Sequence, residues 1–207
     1  VMDRDHYVPL AVEITDIIEA DIPFFLPLLA EVDNLGIEFE NVYADGAYAS
    51  FETFAIVHHR YRAKAWFNKC ENWVYKPEGE PEAIQKVYQG YWEESDFKPG
   101  ASLQEMLDYL VAHHNPGPVG MYWRNRYMNE WEQNQLATQL NYNHRNAVES
   151  FHSHIKERLN IERYMDYKGV HKVERHVLMT YIALLAVTLC RAQHGMFEGM
   201  ANVEYLC

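Results

Sequence analysis

The chain reads as an α/β protein: a mixed sheet flanked by helices, interrupted by a loop-rich insertion and completed by long C-terminal helices. Three observations predict this. Short apolar runs alternate with helical periods over residues 1–70, prolines and glycines crowd residues 71–120, and helical periodicity dominates residues 121–207. The expected organisation is a partial sheet region over 1–70, an insertion over 71–120, and helices over 121–207 that complete the domain. With 207 residues, 48% hydrophobic and 23% charged, the chain suits one compact water-soluble domain. Those values exclude a disordered tail, a collagen-like fibre and a disulfide-stapled miniprotein.

Each element has its own signal. Val1-Met2 suits a strand end, and after a polar turn Val8 to Thr15 reads as a second strand, with Pro9 placing it at an edge or a start. Asp21 is positioned to cap an amphipathic helix running through Leu26, Leu29 and Val32. Asn41 to Asp45 is a short strand stopping at Gly46, Ser50 to His59 a short helix, and Ala63 to Phe67 a further strand. Strands separated by such helices imply a sheet with crossover connections. In the insertion, one helix is expected over Ser102 to His114, with Ser102 as its N-cap. Tyr122 to about Asn160 and His171 to His194 read as long helices.

Cys70, Cys190 and Cys207 are odd in number and far apart, so neither a zinc ribbon nor a disulfide framework is indicated. A reducing, cytoplasmic setting is the expectation. The opening Val1-Met2-Asp3-Arg4-Asp5 has no apolar run of the signal-peptide kind. Val177 to Cys190 falls short of the roughly 20 residues a membrane span needs and reads as a buried core helix, so no membrane partner is expected. The start without Met suggests a fragment whose upstream strand is missing.

The formal net charge of −12, from 18 Lys+Arg against 30 Asp+Glu, argues at first sight against nucleic acid as a partner. The charge is uneven, however. Residues 1–60 hold 12 acids against Arg4 and Arg60, whereas Arg60, Arg62, Lys64 and Lys69 stand in a stretch without any acid.

Two features carry chemistry. On a helical wheel of about 100° per residue, Tyr142, Arg145, Glu149 and Lys156 share a stripe roughly 60° wide, with His152 beside it. Val148, Phe151, Ile155 and Leu159 form an adjoining apolar stripe. One carboxylate among cations and a phenol suits a site for an anion and a metal, while the same geometry also describes a surface helix laced by i,i+4 pairs. The second feature is Asp45, at the end of a strand, where open α/β sheets bind ligands. Gly46 after it equally spells an ordinary Asp-Gly turn.

Together these features resemble the insertion-sequence DDE transposases. The spacing Y-x2-R-x3-E-x6-K from Tyr142 to Lys156 is similar, without gap or substitution, to that family's signature, whose Glu is the last of three catalytic carboxylates. Val42-Tyr-Ala-Asp45-Gly-Ala-Tyr48 resembles the strand bearing the family's second catalytic Asp, and Ala11 to Leu29 resembles its passage between the first two. The resemblance implies an RNase H-like mixed sheet and two-metal phosphodiester cleavage with strand transfer at transposon ends. It makes Asp45 and Glu149 ligands for two Mg²⁺ ions, with Mn²⁺ as a substitute, and gives Tyr142, Arg145 and Lys156 to DNA. Double-stranded DNA, both transposon end and target, is the implied partner, with a homodimer assembling on it. The first catalytic Asp falls upstream of the chain's start, so the fragment is expected to be inactive alone.

The alternatives are of other classes. One is a transposase-derived domain without catalysis, kept for DNA or protein binding. Another takes His58-His59, His113-His114 and His152/His154 as zinc ligands, but neighbours about 100° or 200° apart on a helix cannot chelate one ion unaided. A structural role is expected for those histidines. Given its charge, the fragment is expected to bind DNA weakly and to release it at moderate salt.

Overall fold

The computed structural model describes residues 1–3, 8–13, 22–91, 93–158 and 170–196. In chain order these form β1 (Met2–Asp3), β2 (Val8–Pro9), α1 (Phe25–Asn34), β3 (Asn41–Ala44), α2 (Phe51–His59) and β4 (Lys64–Phe67). There follow α3 (Pro81–Gln89), α4 (Leu103–His113), α5 (Gly117–Gln133), α6 (Gln135–Tyr142), α7 (Asn146–Arg158) and α8 (Val170–Gln193). The described residues are mostly helical, with two small two-stranded sheets. They gather into two compact units, residues 38–143 and the described parts of 1–37 with 144–207.

The unit 38–143 is built on a β–α–β connection. β3 and β4 pair in parallel, Asn41 opposite Lys64 through Ala44 opposite Phe67, with α2 as the link between them. Ser50 starts α2 by accepting the Thr53 backbone N–H at 3.0 Å, as a Ser N-cap does. Phe54, Ala55 and Val57 on that helix are fully buried, as are Ala65 and Phe67 on β4. These elements fall where their sequence signals place them.

The stretch 71–120 is more ordered than its prolines suggest. Besides the expected α4, whose Ser102 and Glu105 form a capping box, it contains α3, which corrects the expectation of a single helix. Pro81 and Pro118 occupy first-turn positions of α3 and α5. There the missing N–H has no helical partner to lose, so proline starts a helix instead of breaking it. Ile84 and Tyr88 of α3, Leu107 and Leu110 of α4, Val119 and Tyr122 of α5, and Ala55 of α2 share one buried core. Gly120 sets the closeness of α5 to the start of α2: a Cβ there would lie 1.8 Å from the Phe51 carbonyl oxygen.

The expected long helix from Tyr122 is divided. α5 ends at Gln133, α6 at Tyr142, and a 3-10 turn over Asn143–Arg145 precedes α7. Near the second division an amide side chain bonds the backbone of the preceding turn. Asn141 Nδ2 donates to the Ala137 carbonyl at 3.0 Å, and Gln139 Nε2 to Asn143 Oδ1 at 2.9 Å. The stripe therefore does not run along one helix. Only Glu149 and Lys156 share α7.

In the other unit, β1 and β2 pair antiparallel, Met2 opposite Pro9 and Asp3 opposite Val8. The expected strand to Thr15 shrinks to two residues, and Ile14 and Thr15 lie outside the described residues. Pro9 has no N–H to extend the ladder. Asp21, expected as a cap, also lies outside them; α1 begins after a 3-10 turn with Phe24 at its N-cap and no side-chain cap bond. Phe151 and Ile155 of α7 pack with Leu184 of α8.

α8 departs from expectation. It runs 24 residues, and His171–Gln193 is long and apolar enough to cross a membrane by length and composition, a property that core helices share. It is not a buried core helix: Leu184 is 2% exposed, but Met179, Ile182 and Leu189 are 59%, 57% and 61% exposed. Its apolar residues stand all round the axis, and the packing against Phe151 and Ile155 covers one stripe of them.

Candidate active site

Asp45 stands one residue beyond β3, on the C-terminal edge of the parallel pair. Its backbone stays extended, so its side chain turns back and caps the 3-10 turn Gly46–Tyr48, accepting the Gly46 N–H at 2.6 Å. The carboxylate is exposed. Gly46 is required by close approach: a Cβ would come within 2.9 Å of the Asn68 carbonyl oxygen and 3.0 Å of Cys70 Sγ. Both contacts belong to the segment leaving β4, so the edge that carries Asp45 is drawn tight by glycine. The Asp-Gly pair is thus a turn at a strand end.

Of the four signature residues, the structure brings Arg145 and Glu149 together directly. Arg145 donates from an Nη to Glu149 Oε1 at 2.6 Å across one helical turn. The arginine side chain is 24% exposed and the glutamate 59%, so the cation is seated and the carboxylate faces water. Lys156, two turns further along α7, is exposed, as is His152. Tyr142 ends α6 in the unit 38–143, where it is 6% exposed with its ring 6.5 Å from that of Trp131. Asp45 belongs to that same unit.

A network that nothing in the sequence announces lies in the unit 38–143. His59 at the end of α2 is buried, with Nδ1 2.6 Å from Asp108 Oδ1 of α4. The Trp123 indole N–H of α5 donates to His59 Nε2 at 2.6 Å. Arg62 grips both Asp108 oxygens, at 3.0 and 3.1 Å. Burial alone would raise the Asp108 pKa, but the bonds from Arg62, His59 and Gln104 outweigh it and hold the carboxyl below its usual value. Burial lowers His59 despite Asp108, and lowers His58 to about 3, with His59, Lys64 and Arg126 adding to that. His58 stacks on Trp123 at 4.1 Å, and His114 on Tyr91 at 3.6 Å. These histidines are packed and bonded as structural groups. Among the described residues, no three His, Cys, Asp or Glu side chains are grouped to hold a metal ion.

Contacts that tie α2 and the turn after it to α4 and α5 in this network, such as Arg62 with Asp108 and Trp123 with His59, join residues 46 and 64 positions apart. No local spacing encodes them. The same unit holds an open cavity of about 970 Å³, walled in part by His58, Arg62, Trp123 and Arg126.

Residues 1–186 match the family described as transposase DDE domain, and the chain belongs to that family. It is a family of transposases, whose substrate is DNA and whose members typically use divalent metal ions. No curated protein and no solved structure matches the chain.

Proposed function

We propose that the chain is the catalytic region of an insertion-sequence transposase, built on an RNase H-like plan, that cleaves phosphodiesters at transposon ends and transfers the strand to target DNA. The observation that carries this reading is Asp45, an exposed carboxylate at the C-terminal edge of a parallel strand pair, the edge at which α/β sheets place ligands.

In this reading Asp45 and Glu149 hold two Mg²⁺ ions, or Mn²⁺ in their place. Both are exposed carboxylates, and hard oxygen donors open to water are what Mg²⁺ prefers, since it keeps much of its hydration shell. When bound, the metal pair supplies an activated water or 3′-hydroxyl and steadies the departing oxygen. The chain's own residues do the rest. Arg145, already oriented by Glu149, presents a fork suited to two phosphate oxygens, and Lys156 offers a point charge further along α7. Tyr142, at the end of α6, is assigned to DNA by the same reading. The transposon end and target DNA are the partners, and joining two ends calls for a homodimer on DNA.

The test uses the full-length protein on duplex DNA carrying its transposon end. Glu149→Gln and Asp45→Asn are each expected to abolish Mg²⁺-dependent cleavage, by at least about 10³-fold, while leaving DNA binding intact. Mn²⁺ binding, followed by electron paramagnetic resonance, should fall in both variants. Cleavage that survives Glu149→Gln would remove that residue from the site.

A further inference from the structure

Trp123 is an indole and can only donate its hydrogen bond, so the His59 Nε2 that receives it at 2.6 Å must carry a lone pair. Asp108 accepts from both Nη atoms of Arg62 and from Gln104 Nε2 at 3.2 Å, which marks it as a carboxylate. The remaining His59 proton therefore sits on Nδ1 and points at Asp108, 2.6 Å away. Both ring nitrogens are committed, and in one tautomer only.

We propose that His59 is a proton-operated latch on Trp123: neutral, it clasps the indole of α5 against α2; protonated on Nε2, it expels the indole and releases one wall of the neighbouring cavity. A proton from solvent placed on Nε2 turns an N–H···N bond of 2.6 Å into two N–H groups facing each other. No proton leaves the ring to relieve that clash, because Nδ1 stays bonded to Asp108. Trp123 must turn. Its stack on His58, now at 4.1 Å with rings 10° from parallel, opens with it. So does the approach of the Arg126 guanidinium, 5.7 Å from the indole centre. Trp123, His58, Arg126, Arg62 and Gln104 all line the cavity of about 970 Å³, so its shape changes when the latch opens.

Charged groups of α4, of the turn after α2, of β4 and of α5 surround the two histidines. On α4 only Asp108 favours the added charge, and Arg62, from the turn between α2 and β4, already neutralises it. Lys64 on β4 and Arg126 on α5 disfavour positive charge at His58, and Arg62 disfavours it at His59. Arg62 is also held at φ 53°, a conformation that a non-glycine residue keeps only when its surroundings insist. From there its guanidinium grips both Asp108 oxygens. The latch is independent of the cleavage reading, since it uses none of Asp45, Tyr142, Arg145, Glu149 or Lys156.

The experiment is nitrogen-15 NMR on the full chain, titrated from pH 7.5 downward, with the Trp123 indole assigned from Trp123→Phe. At neutral pH, His59 is expected to show an unprotonated Nε2 and a through-bond coupling to the Trp123 indole nitrogen. On acidification the coupling should vanish, and the indole should move to the shift of an exposed tryptophan, in step with His59 protonation. His59→Gln offers an amide to Asp108 and a carbonyl to the indole without titrating, so its Trp123 signal should hold still over the same range. Amide signals of Val42 to Ala44 should persist through the step. An indole that stays in place while His59 takes up its proton overturns the proposal. So does an identical transition in His59→Gln, or loss of the β3 amide signals in the same step, which would make it general unfolding.

Discussion

Asp45 and Glu149 are held in opposite ways. Asp45 caps a turn at the edge of a unit whose helices α2, α3, α4 and α5 share a buried core, and a glycine fixes the spacing beside it. Glu149 lies on the water-facing side of α7 and is paired with Arg145, a turn away. Beneath α7 the buried cluster consists of Phe151, Ile155 and Leu184. The first carboxylate inherits its position from packing, the second from a side-chain pair. Mutations should therefore separate them: around Asp45 they act through stability, around Glu149 through chemistry.

The strongest way to break the first region is Gly120→Ala. A methyl 1.8 Å from the Phe51 carbonyl carbon's oxygen has no room, so α5 must leave α2. The expected cost is about 4 kcal/mol or more in urea denaturation. Next comes a paired test of core against surface. Leu110→Ala, at 0% exposure, should cost about 2–5 kcal/mol, whereas Leu189→Ala, at 61% exposure on α8, should change stability by less than about 0.5 kcal/mol. Equal costs would mean that α8 is covered in solution. Gly46→Ala is expected to lose about 1–3 kcal/mol, because the Asn68 carbonyl is backbone and yields little.

Acid sharpens the contrast further. His58 titrates near 3 in the fold, and His59 also below its ordinary value of 6.5. The unfolded chain then binds protons more tightly than the folded one. Stability is whole above pH 6.5 and falls as pH drops toward 3, with a slope approaching ~1.4 kcal/mol per pH unit for each histidine. Denaturation midpoints at several pH values check this, and His58→Gln should flatten the curve. The smallest effect belongs to Arg145→Ala. Its pair with Glu149 spans i,i+4 near the surface, so unfolding should shift by about 0.3–0.5 kcal/mol. Under the proposed function, cleavage should nevertheless drop by at least about tenfold. A large stability loss without a cleavage defect would make the pair purely structural.

Local signals were legible in the sequence where the chemistry is local. β3, α2 and β4 follow from apolar runs bounded by Gly46 and Ser50, and the Ser102 cap announced α4. α3 escaped notice because Pro81 looks the same in sequence whether it ends a loop or begins a helix. The division between Tyr142 and Asn146 escaped for a related reason. A helical wheel assumes an unbroken helix, and α6 ends at Tyr142 before a 3-10 turn over Asn143–Arg145.

What the sequence determined by itself is order and spacing: Asp45 after a strand, and Tyr142, Arg145, Glu149 and Lys156 at fixed intervals. Such patterns are written in order along the chain, and order survives without coordinates. Only the tertiary structure decided that Arg145 grips Glu149, that Gly120 admits α2 against α5, and that His59 binds Asp108 and Trp123. Burial and hydrogen bonding between distant residues depend on which surfaces meet. That is settled by packing and by the satisfaction of buried polar groups, not by spacing.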